Sequence, residues 1–564
     1  MAASPSSLLV ALLFVTIFLA SVAWVLKLVH DFFSPLCPVL RREPSLRRKL
    51  RVAVIGGGIG GTALAHWLRE LYGDDLDLTV ICDGPIGGRC QSVRVGDKRY
   101  EGGAAIISEL NQYLRSFLRK LQLKEKFFAG ANVPLGIHDG VEFLVREADE
   151  REALLGLSSL VTILRFARRY GLSSLFRLKG MLRHPAAPNF DHLYRELARG
   201  RAFDTPEQLL EVMGPACLSL TRERAASWLC GEQPSGGGLS RQMVDELVST
   251  GMRCNYGGQG CEQMHAFCGL VSVAGGLASR CFAVRGGNEQ VPRKLLGEAR
   301  PQQLRLHSTA RAVRRVDEGS SALPSWSVEV EQAAAEAMKG DGSPAPATLP
   351  TSIGPFDVVV IAHPLERSCL AIEGAAGLEL PPQESRFRRC VTHLVRGTLR
   401  ARYFHAHSDG GSDGGGSGLL PGEILTSDGC ASPFYSIGVQ LPIDVEHSAE
   451  AQALIRSALV GGEAVWKLFA PEVLTAEQLE SIFATRVGEA EVLDWYAYPQ
   501  YTVPQKMSPF VLDRHKGRSL LYLNAIEQTA SAMEMSAISA RNAANLVVQF
   551  VNRHRADSME GGVY

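Results

Sequence analysis

The chain has 564 residues, 46% of them hydrophobic and 21% charged, with 59 Lys and Arg against 59 Asp and Glu. At ~150 residues per domain the length corresponds to roughly three or four units, enough to bury a substantial core. Zero net charge argues against a general nucleic-acid binder, because no global basic field exists to neutralise phosphates. Twelve cysteines in so long a chain, with no C-x-x-C, argue against a disulfide scaffold and a zinc ribbon.

Residues 8–26 are an uncharged, mostly apolar run followed by Lys27. The run approaches the length of a membrane span, and residues 8–19 with Ser21-Val22-Ala23 also fit a signal peptide and its cleavage site. Arg41, Arg42, Arg47, Arg48, Lys49 and Arg51 follow it. If the segment stays uncleaved, that bias favours a cytosolic body. Membrane targeting is expected either way.

Residues 49–55 read as a buried strand, running directly into Gly56-Gly57-Gly58-Ile59-Gly60-Gly61. Residues 62–72 have helical spacing, and residues 76–82 read as a second apolar strand. This is the strand, glycine turn, helix and strand unit that cradles a dinucleotide. Gly56 allows the tight turn, Gly58 lets the backbone approach a pyrophosphate, and Gly61 packs helix on strand. Asp83, past the second strand, is the acid expected to receive a ribose hydroxyl. Gly87-Gly88-Arg89 follows, then Tyr100-Glu101-Gly102-Gly103. The Gly-Gly-Arg turn resembles the second phosphate-contacting turn of amine-oxidase-like flavoproteins and favours FAD over NAD. Arginine suits that place because its planar fork pairs with phosphate oxygens.

Residues 108–121 predict an amphipathic helix, with Leu110, Tyr113, Leu114, Phe117, Leu118 and Leu121 on one face. Residues 153–183 contain no acid and interleave Arg165, Arg168, Arg169, Arg177, Lys179 and Arg183 with leucines and phenylalanines. They fit a helix pair on an anionic membrane surface, or a pair of core helices with basic outer faces. Cys254, Cys261, Cys268 and Cys281 recur at intervals that could align them along a helix, yet buried thiols explain them without a metal. Residues 340–351 and 408–418 read as surface loops. Residues 356–362 and 519–524 predict further parallel strands, and residues 533–550 a closing helix. His363, just past a strand, is a possible catalytic group or a satisfied loop histidine.

The chain resembles the prenylcysteine oxidases, called farnesylcysteine lyases in plants. The opening Val52-Ala53-Val54-Ile55-Gly56-Gly57-Gly58-Ile59-Gly60-Gly61-Thr62 is close to the family's first motif. Asn255-Tyr256-Gly257, Val284-Arg285-Gly286-Gly287-Asn288, Trp495-Tyr496-Ala497-Tyr498-Pro499 and Leu521-Tyr522-Leu523-Asn524-Ala525-Ile526-Glu527 match later ones. Ala530-Ser531-Ala532-Met533-Glu534-Met535-Ser536-Ala537-Ile538 is the most specific stretch. The family carries a glutamate where this chain has Cys82, so the ribose acid Asp83 stands one residue further on.

The resemblance implies an α/β fold: a Rossmann-like FAD-binding domain interleaved with an α+β substrate domain. Residues 1–48 form a signal peptide or membrane anchor with a basic linker. Residues 49–107, 286–370 and 511–564 build the FAD-binding domain, and 108–285 and 371–510 the substrate domain. Met533 and Glu534 are expected at a helix start that points N–H groups at the flavin. The implied reaction oxidises the thioether of farnesyl- or geranylgeranylcysteine. A hydride leaves the allylic carbon for FAD, water adds there, and the hemithioacetal collapses to cysteine and a prenyl aldehyde. Oxygen then reoxidises the flavin to give hydrogen peroxide. Burying a farnesyl chain at ~0.8 kcal/mol per methylene gives an upper bound near ~10 kcal/mol, so an apolar tunnel needs few polar contacts. The family also implies an endomembrane location, lysosome or vacuole. Two other readings remain open: an FAD oxidase of an amine or polyene lipid, and a prenyl-binding carrier without redox chemistry.

Overall fold

The computed structural model describes residues 48–560 except 128–132, 148–157, 182–186, 232–235, 277–279, 317–324, 333–349, 375–376, 382–385, 405–419, 446–448 and 515–516. The apolar run at 8–26 and the loop at 408–418 therefore lie outside the described residues, as does most of the loop at 340–351. Among the described residues no helix is long and apolar enough to cross a membrane.

Five short strands form an all-parallel sheet in the order Gln303–Arg305, Leu76–Ile81, Leu50–Ile55, Val358–Ile361, Leu520–Tyr522. Val52, Val54, Leu78, Val80, Val359 and Val360 are fully buried, as expected of strands covered on both faces. The helix Ile59–Tyr72 packs against Gln290–Ala299 and Met533–Glu560. It is buried on almost every side, and Gly60, Gly61, Ala63 and Ala65 let its neighbours approach. Asp357 joins two strands of the sheet at their starts. Its carboxylate accepts from the Arg48 guanidinium at 2.9 and 3.0 Å and from the Arg51 backbone N–H at 2.9 Å.

The expected strand at 356–362 divides at this residue. Thr351–Phe356 belongs to a separate four-stranded sheet with Ser308–Val316, Ser325–Gln332 and Ala371–Glu373. Only Val358–Ile361 joins the parallel sheet. The helix expected at 108–121 also starts later, at Gln112–Lys120. The Asn111 carboxamide accepts from the Ser108 N–H at 2.8 Å, and the Ser108 hydroxyl from the Leu110 N–H at 3.1 Å. Such side-chain bonds compete with helix, so residues 108–111 form a turn and Leu110 is exposed.

The largest sheet is mainly antiparallel and twists through Phe483–Arg486, Phe387–Leu399, Ala464–Ala470, Ser436–Gln440, Glu423–Thr426, Leu135–His138 and Phe143–Arg146. Glu491–Pro499 pairs with Phe387–Leu399 as well. One face packs a core of Val395, Phe404, Ile424, Ile437, Trp466, Leu468 and Phe483. The other face carries the polar residues taken up below.

The basic segment forms two helices, Ser158–Tyr170 and Leu172–Gly180, hinged at Gly171. Tyr170, Ser174 and Leu178 face the protein interior. Leu160, Ile163, Leu164 and Leu172 are exposed, and Phe176 is 73% exposed.

Candidate active site

The strand Leu50–Ile55 runs straight into the glycine turn. Gly56 has φ +127°, and a Cβ there would sit 2.5 Å from the Ala362 carbonyl oxygen. A Cβ on Gly61 would sit 2.1 Å from the Gly56 carbonyl oxygen. On Gly58 the same atom meets nothing within 4 Å. Two glycines thus close the turn, and the third faces open space.

Gly58 is also the N-cap of the helix Ile59–Tyr72 and offers no side-chain cap. The unpartnered N–H groups of the first helical turn and their partial positive charge are therefore available to an anion. The second glycine turn joins the same space, since the Gly87 N–H donates to the Gly57 carbonyl at 2.9 Å and Gly58 bridges Gly87. A diphosphate fits this donor set.

Around the cradle, the structure distributes the sequence-derived residues unevenly. Asp83 is exposed on the loop after the second strand, and its charge only partly offsets the burial that lowers the His363 pKa. Cys82 is buried beneath the turn, its Sγ 2.7 Å from where a Gly57 Cβ would lie. Gly88 follows Gly87 with φ +57° and lies against the Gly58 Cα.

Arg89 has a different partner from the one expected. Its guanidinium holds both carboxylate oxygens of Glu527, which is 2% exposed, and donates to the Ala497 carbonyl at 2.5 Å. The ion pair clasps the second glycine turn to the short segment just ahead of the last helix.

Met533 begins the last helix as expected, and its Sδ lies 3.4 Å from the Cys90 Sγ. The Glu534 side chain is committed elsewhere. It accepts from the Tyr113 N–H at 2.8 Å, the Leu114 N–H at 3.0 Å and the Tyr194 hydroxyl at 2.6 Å. The reason is local: Asn111, the N-cap of Gln112–Lys120, directs its carboxamide at Ser108 and leaves its own helix uncapped. Glu534 supplies the missing acceptor from 420 residues away. Only its backbone remains available at the helix start.

Two sequence motifs meet in a polar bracket. Glu101 accepts from the Asn288 N–H at 2.7 Å, and the Asn288 carboxamide donates to the Ala104 carbonyl at 2.8 Å. Burial pushes Glu101 up to about 7, against the pull of the Asn288 donor and Lys467. Lys467 is 6% exposed, and its ammonium donates to the carbonyls of Glu101 at 3.1 Å and Gly103 at 3.4 Å. Sequence reasoning missed this lysine, although a single charge in the apolar strand Ala464–Ala470 is a legible signal.

From Lys467 the large sheet leads to a second overlooked residue. Lys467 pairs with Gly438, and Gly438 with Glu423, so the three share one face. Glu423 is exposed by its surface, yet surrounding protein desolvates its carboxyl enough to raise its pKa. Cys254 and Tyr498 are half-buried, and desolvation raises their pKa values as well.

The prenylcysteine lyase family pattern matches residues 157–560, and an NAD(P)-binding Rossmann-like domain matches residues 54–121. The chain belongs to the prenylcysteine lyase family. Prenylcysteine oxidase 1 of Homo sapiens is 29% identical over 517 residues, 91% of this chain and 92% of that one. Prenylcysteine oxidase 1 of Bos taurus is 29% identical over 501 residues, 88% of each chain. Prenylcysteine oxidase 1-like of Homo sapiens is also 29% identical, over 88% of this chain and 90% of its own. Among solved structures, a putrescine oxidase aligns with TM-score 0.51 and 14% identity, covering 90% of this chain and all of its own. A cyclohexylamine oxidase from Brevibacterium oxydans aligns with TM-score 0.51 and 15% identity, over 89% of this chain and all of its own. These two likenesses describe the fold.

In this member of the prenylcysteine lyase family the middle and late motifs converge on one aromatic cluster. Tyr256 meets Tyr498 and Tyr501 edge-on, with ring centroids 5.4 and 5.7 Å apart, and His265 meets Tyr501 at 5.4 Å. His265 is fully buried and neutral, its pKa lowered to about 4 by desolvation. Its Nδ1 accepts from the Cys268 N–H at 3.2 Å. Ahead of Tyr256, the helical stretch Arg241–Asn255 is widened by a π-helical turn at Val244–Val248, a feature frequent near functional sites.

The spaced cysteines do not line one helix. Cys254 ends Ser249–Asn255, Cys261 sits in a loop, Cys268 lies in Ala266–Gly276 and Cys281 opens a strand. Among the described residues no group of ligands could hold a metal. His363 is the satisfied loop histidine, with Nε2 2.9 Å from the Ser368 hydroxyl and Nδ1 3.3 Å from the Ile55 carbonyl.

Proposed function

We propose that this protein is an FAD-dependent thioether oxidase. Its substrates are S-prenyl-L-cysteine, oxygen and water, and its products are cysteine, a prenyl aldehyde and hydrogen peroxide. The observation that carries this reading is the open cradle at Gly58, framed by two glycine turns and an uncapped helix, in a chain of this family. FAD, when bound, accepts the two electrons of the oxidation and passes them to oxygen.

The protein's own residues bind, orient and enclose. The N–H groups of Ile59, Gly60 and Gly61 and the Gly87–Gly88 turn hold the diphosphate. The Asn288 carboxamide and the Lys467 ammonium hold the Ala104, Glu101 and Gly103 carbonyls and so fix the backbone of this segment. Sulfur and the neighbouring double bond stabilise positive charge at the reacting carbon, so the chief task is to hold that carbon at ~3–3.5 Å from its acceptor.

Anaerobic mixing with S-farnesylcysteine is expected to bleach the flavin absorbance, and air to restore it with release of peroxide. An unchanged flavin spectrum would indicate another substrate. A colourless protein that binds farnesyl groups would be a carrier.

The reading includes contact with an anionic membrane, through which a lipid substrate arrives. Its support is the exposed apolar set Leu160, Ile163, Leu164, Leu172 and Phe176 beside exposed Arg168, Arg177 and Lys179. Cosedimentation with anionic vesicles is expected to exceed that with neutral ones. Leu164→Asp with Phe176→Asp is expected to weaken it by about tenfold or more, given ~1.5–3 kcal/mol per buried large apolar side chain. Binding indifferent to both vesicle charge and substitution would refute the contact. An endomembrane location, lysosome or vacuole, belongs to the same reading and is supported by the apolar run at 8–26.

A further inference from the structure

We propose that Tyr501 and His265 are positioning residues for the flavin: together they fix the turn at residues 527–531 and so aim the start of the last helix. The inference rests on the FAD-dependent reading given above and adds to it two residues from outside the glycine cradle.

The last helix begins at Met533, and Ala532 ahead of it has no side-chain acceptor with which to cap it. The N–H groups of the first helical turn and their partial positive charge are left for a ligand. Where they point depends on the turn that leads into them, and a turn keeps one direction only where its backbone polar groups are held.

Tyr501 holds both ends of it. Its buried hydroxyl donates to the Glu527 carbonyl at 3.1 Å and accepts from the Ser531 N–H at 2.9 Å. His265 holds the middle. Its Nδ1 accepts from the Cys268 N–H, so the single proton of the neutral ring is on Nε2, which donates to the Gln528 carbonyl at 3.3 Å. The Gln528 carboxamide is anchored too, accepting from the Ser508 N–H at 2.6 Å and donating to Glu366 at 3.1 Å. The Glu527 carboxylate meanwhile grips Arg89 of the second glycine turn, so the same five residues touch the cradle on one side and the helix start on the other.

The two positioning residues are themselves braced. Their rings meet edge-on, and Tyr256 meets Tyr501 from another side. The Tyr501 N–H donates to the Gln259 carboxamide at 2.9 Å, and that carboxamide donates to the Pro499 carbonyl at 2.9 Å. A phenylalanine would fill the space of Tyr501 as well. What its hydroxyl adds is two bonds to one short turn, which specify direction. Negative charge grows on a flavin as it is reduced, so N–H groups aimed at it favour the reduced form and speed the oxidation of substrate.

The test compares flavin-loaded wild type with Tyr501→Phe. The midpoint potential of the variant, read against a reference dye, is expected to fall by at least ~30 mV, which is a tenfold change in a two-electron equilibrium. Anaerobic bleaching by S-farnesylcysteine should slow at least tenfold, with KM within about twofold of wild type. A Tyr501→Phe enzyme with wild-type potential and bleaching rate would overturn the assignment, whatever its stability in urea. Should that variant shed its flavin or fail to fold, His265→Phe removes the Gln528 donor instead, and a wild-type potential there overturns the assignment equally. A wild type whose flavin is not bleached by S-farnesylcysteine would overturn the substrate reading, while the potentials still decide the role of Tyr501. A wild type that binds no flavin would overturn both.

Discussion

Gly61→Ala is expected to yield a colourless and destabilised protein, whereas Gly58→Ala is expected to yield a stable protein that binds flavin poorly. The two glycines are three residues apart in one turn, yet their surroundings are opposite. An alanine Cβ at 61 would lie 2.1 Å from the Gly56 carbonyl oxygen. That is a backbone atom and cannot swing aside, so helix and strand must separate. The cost is placed at about 3 kcal/mol, the upper range for overpacking. At 58 the Cβ enters space that no protein atom occupies within 4 Å. The helix loses a glycine N-cap for alanine at about 1 kcal/mol or less. The methyl group would stand where phosphate oxygens approach, and flavin affinity is expected to fall tenfold or more. Urea denaturation and the flavin-to-protein absorbance ratio check both variants. Equal flavin content in wild type and Gly58→Ala would mean that no phosphate enters that space.

Removing the acceptor at Glu534 is expected to have the second large effect, on stability. Glu534→Ala leaves the Tyr113 and Leu114 N–H groups and the Tyr194 hydroxyl without their shared partner in a buried site. At ~1–3 kcal/mol per buried unsatisfied group, and with incomplete additivity, the loss is about 3–5 kcal/mol. Burial pushes the Glu534 carboxyl up to about 7, above its unfolded value of 4.5. The folded state then holds a proton that the unfolded state has released. The contribution of this group to stability is therefore largest below about pH 4.5, falls as pH rises toward 7, and is level above that. The stability difference between wild type and Glu534→Ala should shrink across that window in urea titrations. A difference that grows with pH would show an ionised carboxylate as the stabilising form.

The strand and glycine turn at 50–61 were legible because a turn, an apolar strand and a helix start each depend on residues a few positions apart. The interleaved strands at Val358–Ile361 and Leu520–Tyr522 were legible from apolar runs, although the split at Asp357 was not. That split depends on Arg48 and Arg51, some 300 residues away. The same distance problem governed Arg89. Its residue type pointed to a phosphate, while Glu527, 438 positions later, holds its guanidinium.

What the sequence by itself determined is the cradle and the family to which it belongs. These follow from local periodicity, turn chemistry and motif spacing. Only the tertiary structure decided which charges meet. Glu534 became a helix cap because Asn111 bonds Ser108 instead, and Lys467 became a clamp on Gly103 because strand register turned it inward. Pairing between side chains hundreds of residues apart is set by sheet register and packing, and a one-residue shift of register would turn a strand side chain such as Lys467 to the opposite face.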